Sequence, residues 1–314
     1  MSWTESDIPE QTGRTALVTG ANGGLGLETA RALAAKGAHV IMAARNEAKA
    51  SNAEREILGA YPDAALDVRQ LDLASLESVF DLAAGVRHDY PRLDLLINNA
   101  GVMAIPQQRT ADGFEMQFGV NHLGHYALTA LLLPLLVHTP GSRVVAVTST
   151  ARHFGKPVDP QDPHLGANYA KWPAYGQSKL ANLHFALGLN SRFEAAGAAT
   201  ASLVAHPGLS HTDLQPNSVR QTGGASQLFW QWFAAHTGMT PARGALAQLR
   251  AATDPEASGG ELYAPRFVNN GAAVRRPLFG RSKDARSIEI LFEVSERETG
   301  VSLDVTGAMA DSGR

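Results

Sequence analysis

The stretch Thr15–Leu33, TALVTGANGGLGLETARAL, decides the fold of this chain. It begins with a β-rich run, Thr15–Thr19, followed by the glycine-rich Gly20–Gly26 and then by apolar residues at helical spacing. This order predicts a strand, a tight turn and a helix. A second short apolar run, His39–Ala44, has the composition of a buried strand, so the sequence predicts a complete βαβ unit by residue 44.

The same alternation of short strands and helix-length segments continues along the chain. Five further strand candidates follow the first two: Leu66–Leu71, Leu93–Ile97, Arg143–Thr148, Ala199–Ala205 and Glu261–Ala264. Parallel strands need long crossover connections, so the pattern predicts an α/β fold, a doubly wound parallel sheet flanked by helices on both faces. No linker rich in proline or serine divides the series, which favours a single domain.

The composition of the 314 residues excludes several classes of protein. Hydrophobic residues make up 44% and charged residues 18%, as in a globular chain. The 27 Lys and Arg against 30 Asp and Glu give no basic surplus for nucleic acid. Without cysteine there are no disulfides or thiolates, so redox chemistry would need a cofactor. Met1–Arg14 is polar and no apolar run reaches about 18 residues, so we expect a soluble, cytoplasmic protein without a membrane span.

Three glycines, Gly20, Gly24 and Gly26, suit the binding of a pyrophosphate. Glycine permits a sharp turn and a close approach to the anion, and the following helix N-terminus offers free N–H groups. Their spacing is G-x-x-x-G-x-G, so the commoner G-x-G-x-x-G fingerprint is absent. The position of the cluster, between the first strand and the first helix, favours a dinucleotide site over a merely tight turn.

The end of the second strand indicates which dinucleotide is bound. Folds that prefer NAD usually place an acid there to hold the ribose 2′-hydroxyl, whereas this chain has Ala44. Arg45 follows, and a guanidinium pairs with a 2′-phosphate where a carboxylate would repel it. The sequence therefore favours NADP; the alternative is a solvated arginine at a strand end.

Tyr175 and Lys179 form a candidate catalytic pair. They are four residues apart in a helical pattern, so they share one face, and the ammonium is expected to lower the pKa of the phenol. Ser149 follows a predicted strand, where ligands of α/β sheets gather, and could hydrogen-bond a carbonyl oxygen beside the tyrosine. The alternative for the pair alone is an exposed amphipathic contact.

Several motifs in this order resemble the short-chain dehydrogenase/reductase family. Thr19–Gly26 is similar to that family's T-G-x-x-x-G-x-G, Asn98–Gly101 to its N-N-A-G, and Ser149, Tyr175 and Lys179 to its catalytic set. The resemblance implies a Rossmann-type fold and a cofactor site made of Gly20, Asn22, Gly23, Gly24, Leu25, Gly26, Arg45, Asp72, Leu73, Asn99, Ala100, Gly101, Tyr175, Lys179, Pro207, Gly208 and Thr212.

The resemblance also implies a catalytic mechanism. The catalytic residues are expected to be Asn121, Ser149, Tyr175 and Lys179. In reduction, a hydride passes from NADPH to a carbonyl carbon, Ser149 and Tyr175 polarise the oxygen, and Tyr175 supplies the proton. Lys179 keeps the tyrosine poised, and the main chain of Asn121 holds a water that connects the lysine with solvent.

Within the family, the chain most resembles the retinol-dehydrogenase-like branch, including its bacterial relatives. The resemblance rests on Val40–Asn46, Phe118–His125 and His206–Gly208. It implies an oxidoreductase for an apolar alcohol or carbonyl substrate, acting as alcohol dehydrogenase or carbonyl reductase. The alternatives are a catalytically idle NADP-binding sensor or scaffold and an NAD-preferring alcohol dehydrogenase.

The resemblance covers residues 14–265, with an N-terminal extension, 1–13, and a C-terminal extension, 266–314, that belongs to the same domain. The substrate-side segment 209–255 is either a core helix or a substrate lid. Phe154–Trp172 is either a loop over the site or solvent-exposed.

The family suggests a possible homodimer or homotetramer through helices that include Thr110–Thr139 and Pro173–Gly197. The apolar run Leu128–Val137 could be such an interface or an inward helix face. No metal site is predicted, because the five candidate histidines have neither a nearby glutamate nor a zincin spacing; they are His122, His125, His153, His206 and His211.

Overall fold

The computed structural model describes residues 2–208 and 239–311, whose centre is one eight-stranded sheet in the order β3-β2-β1-β4-β5-β6-β7-β8. The strands are β1 Thr15–Thr19, β2 His39–Ala44, β3 Leu66–Gln70, β4 Leu95–Asn98, β5 Arg143–Val147, β6 Ala201–Ala205, β7 Leu262–Pro265 and β8 Ala273–Arg276. All neighbours pair in parallel except β7 and β8. The predicted Rossmann-type α/β fold is confirmed, and only β8 among these strands was not predicted.

The strand order reverses at β1, and this places the ligand crevice. β1 pairs with β2 on one side and with β4 on the other, although β4 comes much later in the chain. The chain connections therefore diverge on opposite faces of the sheet, and a crevice opens beyond the carboxyl ends of β1 and β4. The glycine-rich turn lies at this place, because it directly follows β1 at Thr19.

Nine α-helices cover the sheet in the described residues. They are α1 Gly24–Ala34, α2 Glu47–Ala60, α3 Leu76–Asp89, α4 Met116–Phe118, α5 Gly124–Val137, α6 Lys171–Ala196, α7 Pro241–Thr253, α8 Ala285–Thr299 and α9 Val305–Ala310. A π-helical turn, Gly119–Leu123, joins α4 to α5. The apolar layer on one face of the sheet involves α3, α5, α6 and α8, and the layer on the other face involves α1 and α7.

The first of the two predicted interface helices begins later than expected. The prediction started at Thr110, but α4 begins at Met116, because the Glu115 carboxylate accepts hydrogen bonds from the main-chain N–H groups of Gln117 and Phe118. Residues Arg109 and Glu115 instead form an isolated β-bridge. An acidic side chain that caps the first free N–H groups defines the start of this helix.

The C-terminal helices α8 and α9 pack on α5 and α6. Gly188 of α6 leaves room for Phe292 of α8, since a Cβ there would lie 2.5 Å from that ring. Phe292 also stacks on Phe185 with ring centroids 5.7 Å apart, and the Arg192 guanidinium carbon lies 3.7 Å from its centroid. The C-terminal extension is thus part of the layer that contains α5 and α6.

Most of the apolar surface of α5 is buried within one copy of the chain. Leu128, Leu132 and Leu136 are buried in the same apolar cluster as Phe292. The helical stretch Met116–Val137 is long and apolar enough to cross a membrane by length and composition, but 78% of its most apolar 18-residue window is buried inside the fold. Its composition is therefore that of a core helix.

Candidate active site

The turn after β1 brings two stretches of main chain very close together. Gly20 has a φ of +69°, in the left-handed region that favours glycine. A Cβ on Gly26 would lie 2.2 Å from the carbonyl oxygen of Gly20, so a side chain there would collide with the main chain. Helix α1 can therefore start directly beside the turn only because residue 26 is glycine.

A second turn, after β4, is attached to the first by Thr19. The Thr19 hydroxyl accepts hydrogen bonds from the main-chain N–H groups of Asn99, at 2.9 Å, and Ala100, at 3.0 Å. The Asn99 side-chain amide donates back to the Thr19 carbonyl at 2.8 Å. Because Thr19 directly precedes Gly20, these bonds hold the two turns in fixed relation.

One pocket of about 470 Å³ extends over both turns. Twelve residues predicted to bind the cofactor line it: Gly20, Asn22, Gly23, Gly24, Leu25, Gly26, Arg45, Asp72, Leu73, Asn99, Ala100 and Gly101. Residues not predicted to bind the cofactor also line it, among them Asn46, Lys49 and the apolar Met103, Ile105 and Val120.

Two cations line the pocket where the sequence predicts a 2′-phosphate. Arg45 and Lys49 are both exposed, and within residues 2–208 and 239–311 neither has an ion-pair partner. Asn46 fixes the start of α2 between them by accepting a hydrogen bond from the Lys49 main-chain N–H at 2.9 Å. Lys49 could have been found in the sequence as a second cation four residues after Arg45.

The end of β5 anchors the helix that carries the predicted catalytic pair. The Val147 carbonyl accepts hydrogen bonds from Lys179 Nζ, at 3.2 Å, and from the Asn182 side chain, at 3.0 Å. The Thr148 hydroxyl donates to the Lys179 main-chain carbonyl at 2.6 Å. Lys179 is therefore held at both its main chain and its ammonium group by the strand end that leads to Ser149.

Tyr175 and Lys179 are both buried, and burial is the largest cause of the shifts in their pKa values. It raises the pKa of Tyr175 to about 12, and a hydrogen bond with Ser149 acts in the opposite direction. It lowers the pKa of Lys179 to about 8. The expected lowering of the phenol's pKa by the ammonium is therefore wrong for this structure. Lys179 Nζ donates to Val147 and lies 5.9 Å from the centre of the Tyr175 ring.

Asn121 connects the turn after β4 with the helix of Tyr175. Its side-chain oxygen accepts from the Val102 N–H at 2.7 Å, and its amide donates to the Val102 carbonyl at 2.9 Å and to the Ser178 hydroxyl at 2.9 Å. Gly101 lies between this side chain and the lysine, since a Cβ there would be 2.9 Å from Asn121 Oδ1 and 3.5 Å from Lys179 Nζ. Gly101 thus both lines the pocket and lies beside the predicted catalytic residues Asn121 and Lys179.

The long stretch before α6 packs beside this cluster. His164 stacks on Phe114 and accepts a hydrogen bond from the Glu115 N–H at 3.2 Å. In the first turn of α6, the Trp172 and Tyr175 rings pack edge to face with centroids 6.2 Å apart, and 47% of Trp172 is exposed. The first turn of α6 therefore places an exposed aromatic surface next to the Tyr175 ring. The two interpretations of Phe154–Trp172, a loop over the site or a solvent-exposed stretch, stay predictions.

Four predicted cofactor residues do not line the pocket. Tyr175 and Lys179 lie deeper, next to Ser149, and Gly208 follows β6 with a φ of +73° against the Asn269 carbonyl. Pro207 precedes it at the same strand end. Thr212 and the aromatic stretch at 228–233 lie outside the described residues.

Two of the five candidate histidines, His122 and His125, have protein hydrogen-bond partners, and His211 lies outside the described residues. His122 Nε2 lies 2.7 Å from the Ser295 hydroxyl of α8, and His125 lies between Thr19 and Asn121. In the part of the chain that the structure describes, no group of three or more His, Asp or Glu side chains is arranged to hold a metal ion.

Comparisons with known proteins agree with this geometry. The family model described as short chain dehydrogenase matches residues 14–223. Retinol dehydrogenase 14 of Mus musculus is 38% identical over 303 residues, which cover 92% of this chain and 86% of that protein. Retinol dehydrogenase 12 of Homo sapiens is 36% identical over 289 residues, with 92% and 87% covered.

Solved structures show the same architecture. An uncharacterized protein from Mycobacterium paratuberculosis is 40% identical, with a TM-score of 0.80, and the match covers 96% of this chain and 99% of that one. A short chain dehydrogenase from Escherichia coli complexed with NADPH is 25% identical, with a TM-score of 0.62, and the match covers 81% of this chain and 97% of that one.

Proposed function

Since this chain belongs to the short-chain dehydrogenase/reductase family, in its retinol-dehydrogenase-like branch, it is an NAD(P)-dependent oxidoreductase, and we propose that it uses NADP to interconvert an apolar alcohol and its carbonyl compound. The observation that carries the choice of NADP is the pair of exposed cations, Arg45 and Lys49, at the end of the nucleotide pocket. Two cations without ion-pair partners among the described residues suit a phosphate dianion.

The pocket fits such a cofactor in two further respects. The close approach at Gly26 starts α1 directly beside the turn that lines the pocket, and the first N–H groups of a helix are suited to bind a pyrophosphate. Ala44, where an NAD-binding chain would place an acid, is buried and presents no carboxylate to a ribose. A structural relative from Escherichia coli was solved with NADPH, which supports the same assignment.

In the proposed mechanism, the bound cofactor supplies or accepts the hydride. Tyr175, with its pKa raised to about 12 by burial, is protonated at neutral pH and donates its proton to the substrate oxygen in reduction. Ser149, hydrogen-bonded to Tyr175, polarises the same oxygen. Lys179, with its pKa lowered to about 8 by burial, can release a proton near neutral pH and so replace the one that Tyr175 loses. Asn121 holds the water that connects Lys179 with solvent.

Apolar side chains in the pocket and beside Tyr175 support an apolar substrate. Met103, Ile105 and Val120 line the pocket, and Trp172 presents an exposed aromatic surface beside Tyr175. Such surfaces bind apolar molecules by removing their area from water. The relatives named retinol dehydrogenases support the same class of substrate.

The test is NADPH oxidation with a panel of aldehydes and ketones that includes retinal, alongside direct measurement of NADPH and NADH binding. We expect turnover of apolar carbonyl compounds and a higher kcat/KM with NADPH than with NADH. NADPH binding without turnover of any compound would instead support an idle sensor or scaffold. A preference for NADH would support the NAD-dependent alternative.

A further inference from the structure

A buried chain of hydrogen bonds runs beneath the active site, from the nucleotide turns to Asn121. Its centre is His125, which is 2% exposed. His125 Nε2 lies 2.9 Å from the Thr19 hydroxyl, and Nδ1 lies 3.0 Å from the main-chain carbonyl oxygen of Asn121. The same hydroxyl accepts the N–H groups of Asn99 and Ala100.

The chemistry of these groups fixes the direction of each bond. A carbonyl oxygen only accepts, so Nδ1 of His125 must carry the proton that is donated to Asn121. A neutral imidazole has one N–H, so Nε2 then carries no proton and can only accept from the Thr19 hydroxyl. The Thr19 oxygen accepts from Asn99 and Ala100, so its own proton remains to be donated. Two acceptors lie within reach of that proton, the Ile97 carbonyl oxygen at 3.3 Å and the nearer His125 Nε2 at 2.9 Å.

The surroundings keep this imidazole neutral. Burial lowers the pKa of His125 to about 4, and the charge of nearby Lys179 acts in the same direction. The ring therefore carries one proton throughout the neutral range. The ring therefore keeps its donor, Nδ1–H, toward Asn121 and its acceptor, Nε2, toward Thr19.

We propose that His125 is a positioning residue of the proton relay, which fixes the orientation of the Asn121 carbonyl and ties it to the turns that bind the nucleotide. The proposal rests on the proposed function, in which this carbonyl holds the water between Lys179 and solvent. His125 touches neither substrate nor cofactor. It acts by holding one acceptor oxygen of Asn121 in place and by coupling it, through Thr19, to the glycine-rich turn.

The neighbouring His122 provides a matched control. It is also fully buried, lies three residues earlier, and has its pKa lowered to about 3 by burial. Its Nε2, however, lies 2.7 Å from the Ser295 hydroxyl of α8, whereas the Asn121 carbonyl oxygen is bonded by His125. Replacing either histidine by leucine removes a buried imidazole, but only one replacement affects the proposed relay.

The kinetic experiment compares the full-length variants His125→Leu, His125→Asn, His125→Gln and His122→Leu. Misplacement of a catalytic group can cost about a hundredfold, so we expect His125→Leu to lower kcat by about 10- to 100-fold with little change in NADPH affinity. Its solvent isotope effect should rise while the isotope effect of 4-deuterated NADPH falls, because proton delivery becomes slower than hydride transfer. His125→Asn keeps a donor at the Nδ1 position and should restore kcat to within about threefold of wild type.

The control variants separate positioning from packing. His125→Gln places its amide at the Nε2 position, so it should resemble His125→Leu in kcat. His122→Leu should lose stability but keep both isotope effects of the wild type. Unchanged isotope effects in folded His125→Leu would overturn the proposal, and so would a defect in His125→Asn equal to that in His125→Leu.

A spectroscopic measurement tests the hydrogen-bond chain without any activity. Nitrogen NMR of histidine side chains, assigned with the leucine variants, should show the Nδ1–H tautomer for His125 and the Nε2–H tautomer for His122. An Nε2–H tautomer at His125 would contradict the proposal. If the wild-type enzyme reduced no carbonyl compound, the proposed function would fail, and this spectrum would still decide whether His125 donates to Asn121.

Discussion

The nucleotide turns after β1 and β4 and the catalytic cluster after β5 lie at the same edge of the sheet, but they are built differently. The turns use main-chain groups: the left-handed Gly20, the close approach at Gly26, and N–H groups held by Thr19. The catalytic cluster uses side chains, with the Lys179 ammonium and Asn182 amide both fixed on the Val147 carbonyl.

The difference predicts how each region responds to substitution. A site made of main-chain groups cannot be altered by removing a side chain. Adding even one carbon to it, however, changes its geometry and its ligand binding. A side chain can lose one polar atom while its packing stays intact. A substitution at such a site can therefore abolish the reaction without unfolding the protein. Substitutions in the two regions should therefore separate binding from turnover.

The largest effect should come from Tyr175→Phe. Removing the phenolic oxygen deletes the proposed general acid, so kcat should fall by about 100- to 10,000-fold. The buried ring remains in place, so NADPH affinity and the thermal midpoint should stay near wild type. Stopped assays of product formation check the loss of kcat, and NADPH binding measured by fluorescence checks the affinity. Turnover near wild type would contradict the assignment of Tyr175.

Gly26→Ala tests the main-chain region. The new carbon would lie 2.2 Å from the Gly20 carbonyl oxygen, so the turn must shift and NADPH affinity should fall by at least about tenfold. The control is Gly59→Ala in α2, where no atom lies within 4 Å of the new carbon, and which should preserve affinity. Titration of both variants with NADPH makes the comparison, and equal affinities would show that the turn tolerates the change.

Arg45→Asp tests the choice of cofactor at the end of the pocket. A carboxylate would repel the 2′-phosphate and could accept a bond from a ribose hydroxyl, so the ratio of kcat/KM for NADPH to that for NADH should fall by about 10- to 100-fold. Adding Ala44→Asp should increase the change. Lys49→Gln should give a smaller fall, because Arg45 remains. A ratio unchanged in all three variants would remove the basis for NADP.

Ser295→Ala should have the smallest effect, and it should change only the stability of the fold. The Ser295 hydroxyl is buried and bonds His122 Nε2, so its loss should cost about 1–3 kcal/mol of unfolding free energy. Glu293→Ala, an exposed change on the same helix, should stay within about 0.5 kcal/mol of wild type. Denaturant unfolding measures both variants. A large loss of kcat in folded Ser295→Ala would mean that α8 acts on the chemistry.

Local sequence patterns predict the nucleotide region well, because that region is local. Thr15–Thr19, the glycines and His39–Ala44 occur within one stretch, and the strand bounds agree with the structure. Lys49 could have been predicted as well, because it follows Arg45 by four residues, the spacing of one helical turn. β8, Ala273–Arg276, gave no such pattern, because a four-residue edge strand with two arginines lacks an apolar run.

The catalytic region could be predicted only in part, because its energetics depend on distant residues. The four-residue spacing placed Tyr175 and Lys179 on one helix, but it could not show that burial would raise the phenol's pKa. Nor could spacing reveal that His122 meets Ser295, which is 173 residues away. Such contacts follow from tertiary packing, and the resemblance to a family supplied the roles that spacing alone left open.

The packing of α8 against α6 also has a consequence for the order in which the molecule is completed during translation. The two nucleotide turns are present in the first 101 residues, whereas the core around His122 and Phe185 requires Phe292 and Ser295 near the end of the chain. The residues of the glycine-rich turn are therefore synthesised long before those that close the layer around His122. Competence for hydride transfer should arise only when the last helices have left the exit tunnel.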